Sequence, residues 1–155
     1  MMKKLGFLLF PAISLGVGAL AGYLTRDSLA TVYPLLEKSI LTPPGWVFPI
    51  AWTILYILMG LGMALVNEKG GPERPRALGL WGIQLALNFG WSLLFFNSGG
   101  YFSALLCLIL LEVLILAMAG SFATVSRLAA RLQIPYLLWV AFAGYLNAAV
   151  WVLNW

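Results

Sequence analysis

The sequence contains no histidine and only one cysteine, Cys107. Intrachain disulfides, zinc sites built on histidine or paired cysteines, haem held by an axial histidine and Ser-His-Asp triads are therefore excluded. A phosphate-binding loop and a pair of catalytic carboxylates are missing from the sequence as well. We therefore expect a binding protein rather than an enzyme, with no catalytic residue, no metal site and no required cofactor. Cys107 is expected to be a small core residue.

Charged residues are also scarce. They make up 9% of the 155 residues, against 63% hydrophobic residues, whereas a soluble domain carries about 25% charged residues. They form short islands between apolar runs of about twenty residues, the length with which a helix crosses a bilayer. The sequence thus predicts an all-α integral membrane protein, in which residues 1–155 form one domain with a bundle of five transmembrane helices. The predicted spans are about 5–24, 46–66, 78–96, 102–124 and 135–154, with a long outer loop at 25–45.

Lysines and arginines divide unevenly between the two ends of these spans. Seven lie at the end that holds the N-terminus, and two, Arg26 and Lys38, lie at the other end. The positive-inside rule therefore places the N-terminus in the cytoplasm and the first loop and the C-terminus outside. This topology explains the net charge of +4 without a nucleic-acid partner. The basic start also fits a cleaved signal peptide, but the long apolar run and the Gly18/Gly22 packing motif favour a retained span.

Polar and aromatic residues recur at helical spacing in three of the spans. Polar groups at membrane depth are costly unless the protein satisfies them, so these residues mark interior faces. Span two offers Trp52 and Tyr56, one turn apart, after Pro49, which we expect to kink the helix. Convergence of the three faces predicts a small-molecule cavity with flat apolar walls and a few hydrogen-bonding groups. The other two faces comprise Trp81, Gln84, Asn88, Trp91 and Phe95 in span three, and Tyr136, Trp139, Ala143, Asn147 and Trp151 in span five.

Simpler interpretations compete with a cavity. Amides inside spans often only join helices through hydrogen bonds, and tryptophans and tyrosines near span ends often belong to the interfacial belt. The belt suits the residues nearest the span ends, which are Trp46, Tyr101, Trp151 and Trp155. The cavity suits the deeper Trp52, Asn88 and Trp139. The candidate ligand-binding residues are Trp52, Tyr56, Asn88, Trp91, Trp139, Ala143 and Asn147, and further candidates are Pro44, Trp46, Phe48, Gln84 and Glu112.

Glu112 is the one ionisable side chain well inside a predicted span. Its charged form costs about 2.5–3.5 kcal/mol at the centre of a bilayer. We therefore expect its carboxyl group to be protonated, paired or close to an aqueous cavity. A role in proton transfer or ligand binding is one interpretation, and a protonated carboxyl bonded to a neighbouring helix is the other.

Three stretches together resemble one known family. TPPGWVFPIAWTILYILMG, QLALNFGWSLLFF and IPYLLWVAFAGYLNAAVW, in this order, are similar to motifs of the translocator protein/tryptophan-rich sensory protein family (TspO/MBR). The resemblance covers all five spans. It implies a five-helix membrane fold, a homodimer and porphyrin binding, with cholesterol and synthetic drugs as ligands of animal members. It further implies that Trp52 and Trp139 face each other across the cavity, that the first loop is a lid, and that Glu112 matches an acidic residue of the fourth span.

The resemblance leads to a functional expectation with two departures. The sterol-recognition pattern of animal members needs a basic residue shortly after a tyrosine, but LNAAVWVLNW follows Tyr145, so a sterol is the less expected ligand. For the carboxylates of a porphyrin, only Arg26 and Lys38 are available on the outer side.

We expect a tetrapyrrole-binding receptor or sensor in a bacterial cell membrane. Transport of a porphyrin or another amphiphile is the alternative, and light-dependent porphyrin breakdown is a possible side activity. Dimer contacts are expected at Ala86/Gly90 or Gly18/Gly22.

Overall fold

The computed structural model describes residues 2–154, which form a bundle of helices without a strand among them. Five helical segments in this range are long and apolar enough to cross a membrane, as predicted. The chain is therefore an all-α integral membrane protein. The helices are α1 (Met2–Thr31), α2 (Val47–Lys69), α3 (Arg74–Ser92), α4 (Tyr101–Val125), α5 (Arg127–Arg131) and α6 (Ile134–Leu153), with a 3₁₀ turn at Tyr33–Leu35 and a π-helical turn at Leu93–Asn97.

The predicted end of the first span is wrong. Helix α1 continues from residue 24 to Thr31, so the connection to α2 covers residues 32–46 rather than 25–45. Hydropathy marks where the chain leaves the apolar layer, whereas a helix ends only where its backbone bonding stops. The polar side chains of the last turns bond back to the helix, since Thr25 donates to the Ala21 carbonyl (2.8 Å) and Thr31 to the Asp27 carbonyl (2.7 Å).

The expected kink at Pro49 is also wrong. Helix α2 begins at Val47, so Pro49 occupies its first turn. The first N–H groups of a helix have no partner within the helix, and a proline there costs nothing. Pro49 therefore removes no hydrogen bond from within the helix, and Trp52 follows in a regular helical segment.

Helix α2 is the centre of the bundle. Side chains from three other segments donate hydrogen bonds to carbonyls within one turn of its backbone, which joins helices where lipid provides no hydrophobic driving force. The donors and the α2 carbonyls are Ser14 Oγ with Tyr56 (2.7 Å), Gln133 Nε2 with Leu58 (3.1 Å) and Trp81 Nε1 with Met59 (3.2 Å). Helices α1 and α3, and Gln133 at the start of α6, are thereby fixed to α2 at the same depth.

The two halves of α2 border different surroundings. Residues 59–66 and the side chains packed on them form what we call the closed half, where Met59, Met63 and Val66 have no exposed surface. Residues 47–56 form the open half. There Trp52 is only partly buried and Thr53 is exposed. The bundle is thus filled at one end and leaves a cavity at the other.

Candidate functional site

A cavity of about 760 Å³ lies in the open half. Its walls come from α1, from α2, from the end of α3 with the π-helical turn that follows it, and from α6, and the connection 32–46 covers the end away from the closed half. Of the candidate residues predicted from sequence, the lining includes Phe48, Trp52, Tyr56, Trp91, Ala143 and Asn147. The predicted convergence of spans two, three and five on one cavity is what the structure shows.

Trp52 is the centre of the aromatic wall. Its ring lies 5.8 Å from the ring of Tyr56 and 6.0 Å from that of Trp91, measured between centroids, at tilts of 31° and 37°. The π-helical turn continues this wall, because its neighbouring residues Phe95 and Phe96 both line the cavity. A π-helical turn inserts an extra residue into a helix and is frequent at functional sites. The wall presents several flat apolar faces to one space.

Trp139 lies behind this wall. Its ring touches that of Trp52 at 6.4 Å and 89°, and that of Phe48 at 5.9 Å and 68°, but it does not line the cavity. The expectation that Trp52 and Trp139 face each other across the cavity is therefore corrected: the two rings are in edge-to-face contact. A role of Trp139 in ligand binding stays a prediction.

A chain of buried hydrogen bonds leads from the cavity wall into the closed half. Tyr56 donates to Asn88 Oδ1 (3.1 Å), and Asn88 Nδ2 donates to the Tyr136 hydroxyl (2.8 Å). The Tyr136 hydroxyl donates in turn to Gln84 Oε1 (2.7 Å), and Gln84 Nε2 donates to the Trp81 carbonyl (2.9 Å). Neither amide lines the cavity. Asn88 and Gln84 thus join helices, as the simpler interpretation held, and they hold Tyr56 in the wall.

Asn147 of α6 plays a comparable part beside Trp91. Its Oδ1 accepts a hydrogen bond from the Trp91 indole (2.9 Å), and its Nδ2 donates to the Tyr101 carbonyl (2.9 Å). Both polar atoms of the amide are therefore engaged within the protein. Asn147 fixes the orientation of the Trp91 ring, while its buried neighbour Ala143 leaves room for the cavity.

The remaining candidates lie away from the cavity. Pro44 is exposed, and Trp46 is 67% exposed, which agrees with a place in the interfacial belt. Glu112 is half-buried on α4, and within residues 2–154 its buried Oε2 atom has no hydrogen-bond partner. The expected bond between its carboxyl group and a neighbouring helix is thus missing at this atom. Trp155 falls outside the described residues.

Helix α1 contributes a wall that the sequence analysis missed. Gly18 and Gly22 line the cavity together with Thr25, and a Cβ atom at Gly18 would overlap the Tyr56 ring. Gly18 is therefore used for packing within the chain, whereas Gly22 is exposed and borders open space, and a contact of this pair with a second copy stays a prediction. Ala86 is exposed and Gly90 borders open space, so that alternative stays a prediction. Small residues at this spacing suit a helix contact and a cavity wall equally, which is why sequence did not separate them.

The connection 32–46 is held over the cavity by α6. Asn154 accepts a hydrogen bond from the Glu37 backbone N–H (2.9 Å) and donates to the Glu37 carbonyl (2.7 Å). The hydroxyl groups of Ser39 and Tyr145 lie 2.6 Å apart. Tyr33, within this segment, is half-buried, and its burial raises the pKa of its hydroxyl group, so the group is neutral at physiological pH. These contacts fix the first loop over one end of the cavity.

Comparison with known proteins agrees with this architecture. The TspO/MBR family profile matches residues 7–152. The Tryptophan-rich protein TspO of Chlorobaculum tepidum is 39% identical over 92% of this chain and 91% of its own length. The Translocator protein of Bos taurus is 41% identical over 97% of this chain and 89% of its own. The Tryptophan-rich sensory protein of Cereibacter sphaeroides is 36% identical over 79% and 77%, respectively.

Proposed function

The chain belongs to the TspO/MBR family, and from this premise we propose that it is a membrane receptor or sensor that binds a porphyrin in the cavity beneath its first loop. The observation that carries the proposal is the aromatic wall. Trp52, Trp91 and Phe95 present flat apolar rings to one space, and such rings stack favourably on a flat macrocycle. The names of the relatives, a sensory protein and a translocator, suit a binding role.

The size and chemistry of the cavity support this ligand class. Its volume of about 760 Å³ lies within the roughly 300–1,000 Å³ of sites for ligands of drug size. The sequence has no histidine, so the iron of a haem would lack its commonest protein ligand. We therefore expect binding to depend on the ring system and little on the metal. We place the binding site in a bacterial cell membrane, with the first loop on the outer side and a second copy of the chain as partner.

Transport across the membrane is the alternative function. It is suggested by Glu112, because an ionisable side chain inside a span can take part in moving a proton or a ligand. Glu112 does not line the cavity. Below the cavity the closed half is filled by side chains with no exposed surface, Met59 and Met63 among them. A ligand thus has a place to bind but no open passage beneath it, which favours a receptor. Transport predicts that porphyrin enters sealed vesicles that contain the wild type. The substitution Glu112→Gln should abolish this flux.

The experiment is a titration in the dark of the detergent-purified protein with protoporphyrin IX, followed by the absorption of the porphyrin. This readout does not depend on the tryptophan that is replaced. We expect saturable binding, weakened about three- to tenfold in Trp52→Leu, because a stacked aromatic pair contributes about 0.5–1.5 kcal/mol beyond its buried area.

Trp46→Leu is the matched control, since Trp46 is 67% exposed and does not line the cavity. Its affinity should equal that of the wild type. Non-saturable binding, identical in all three proteins, would mean that the porphyrin only dissolves in the micelle.

Illumination of the complex tests the side activity, because photo-oxidation in the cavity predicts a porphyrin product that Trp52→Leu does not form.

A further inference from the structure

Lys38 is the cation of the cavity. It lines the outer end, where the connection 32–46 covers the space. Its ammonium group donates hydrogen bonds to the carbonyls of Tyr33 (2.9 Å) and Leu36 (2.9 Å) and lies 4.7 Å above the centre of the Tyr33 ring. These contacts hold a long, flexible side chain in one place. An ammonium group has three donors, so one N–H remains for a ligand.

The charge of Lys38 is not neutralised within the described chain. Among the side chains of residues 4–154 the one ion pair joins Arg76 to Glu73, at 3.8 Å, at the opposite end of the bundle. The neighbouring Glu37 is exposed, and its backbone is held by Asn154. A partly buried cation without a carboxylate partner favours an anion beside it, and charge-assisted hydrogen bonds are about twice as strong as neutral ones.

Arg26, the other cation at this end, is placed differently. Its Nη1 atom donates to the Tyr23 carbonyl (2.6 Å), and its guanidinium group lies 3.9 Å above the centre of the exposed Tyr23 ring. It does not line the cavity. Of the two basic residues at this end of the bundle, only Lys38 can therefore touch a ligand inside.

We propose that Lys38 is the anchor for a carboxylate group of the ligand, so that the cavity selects flat apolar molecules with an acidic end directed towards the first loop. The proposal rests on the proposed function for the choice of porphyrin, but the anchor concerns any planar carboxylate. The rings of Trp52 and Trp91 stack on the apolar body of the ligand, and the ammonium group of Lys38 binds its carboxylate group. The polar atoms of Asn147 and the Tyr56 hydroxyl already bond within the protein, so they do not compete for it.

The test compares an acid with its ester. Protoporphyrin IX and its dimethyl ester are titrated into the wild type, Lys38→Gln and Arg26→Gln in the same detergent, and the ratio of the two dissociation constants is compared between proteins. Partitioning into micelles cancels in this comparison. We expect this ratio to favour the acid about tenfold more in the wild type than in Lys38→Gln, corresponding to about 1.4 kcal/mol. Lys38→Gln should lose this preference, Lys38→Arg should retain most of it, and Arg26→Gln should equal the wild type.

A second pair of probes separates this proposal from the choice of porphyrin. Pyrenebutyric acid and its methyl ester offer a flat apolar body with and without a carboxylate. If porphyrin does not bind saturably but the pyrene acid shows a preference that Lys38→Gln removes, the anchor stands and the porphyrin proposal falls. A preference for the acid that is equal in wild type and Lys38→Gln, with either pair of probes, overturns the anchor. So does an equal loss of preference in Lys38→Gln and Arg26→Gln, because the general positive charge of this end would then be the cause.

Discussion

Along α2, residues 59–66 lie in a filled interior, whereas residues 47–56 border a cavity, and the side chains of the two halves differ accordingly. The closed half has small or flexible residues, with Gly60 and Gly62 between Met59 and Met63. Such residues let helices approach closely and fill irregular gaps. The open half has Phe48, a proline and Trp52, whose rigid shapes cannot interdigitate as closely.

This comparison separates stability from binding. Lipid gives helices no hydrophobic reason to associate, so the bundle depends on close packing and on hydrogen bonds between helices. The close packing lies in the closed half, where Met59, Met63 and Val66 have no exposed surface, and Trp81 and Gln133 bond to the α2 backbone at its edge. We therefore expect changes in the closed half to lower the free energy of unfolding, and changes around the cavity to alter affinity or binding rates instead.

The largest effect on stability is expected for Gly60→Ala. A Cβ atom at Gly60 would overlap the backbone of Pro11 in α1, and backbone atoms cannot move aside as a flexible side chain can. Overpacking of this kind costs about 1–3 kcal/mol or more. Thermal unfolding in detergent should show a clearly lower Tm than that of the wild type.

Gly82→Ala is the matched control for this substitution. Gly82 lies in α3 with nothing near the position of an added Cβ atom, and alanine is favoured over glycine in a helix by up to about 1 kcal/mol. Its Tm should be equal to that of the wild type or higher. Equal losses in both variants would show that glycine matters for α-helix flexibility rather than for the α1–α2 contact.

A smaller loss of stability is expected for Tyr136→Phe. The hydroxyl group of Tyr136 bonds to Asn88 and Gln84 in the fully buried chain of hydrogen bonds. Its removal leaves a donor and an acceptor without partners, at a cost of about 1–3 kcal/mol. Tyr145→Phe removes a hydroxyl group from an exposed residue and should change the Tm little. If the Tyr136→Phe protein is as stable as the Tyr145→Phe protein, the buried chain of hydrogen bonds does not hold α2, α3 and α6 together.

The sequence predicted which faces point inwards but not what each side chain meets there. The spacing of Trp81, Gln84 and Asn88 identified one buried face of α3 correctly. Periodicity assigns a residue to a face, however, and leaves open its partner across the interface. Whether Trp139 lines the cavity or supports Trp52 depends on ring orientations that only the packed bundle fixes.

Helix α1 shows a second reason why part of the site escaped prediction. Gly18 and Gly22 fit the motif for helix association, and nothing in their spacing distinguishes a contact with α2 from a contact with another chain. The sequence did not predict that Lys38 lines the cavity either. It lies in a loop between Glu37 and Ser39, and a loop has no periodicity that would assign its side chain to an inner or an outer face. Its position at the cavity follows from the 3₁₀ turn at Tyr33–Leu35, because its ammonium group donates to the carbonyl of Tyr33 and to that of Leu36, the residue after the turn.

The smallest effect on equilibrium binding is expected where the loop meets α6. Asn154 holds Glu37 through two hydrogen bonds at the exposed rim, and such bonds contribute only about 0.5–1.5 kcal/mol each. In Asn154→Leu the loop should open more often, so that ligand enters and leaves several times faster while the dissociation constant changes less than threefold. Stopped-flow mixing with protoporphyrin IX measures both rates.

Asn97→Leu is the control that isolates the role of the loop. Asn97 is an exposed amide that also makes two hydrogen bonds, to Leu24 and Ser28, but these join the π-helical turn to α1 and do not hold the loop. Its binding rates should equal those of the wild type. Unchanged rates in Asn154→Leu would show that the ligand does not enter past the loop, and the exposed α1–α2 side of the cavity, at Gly22 and Thr53, would then be its route from the bilayer.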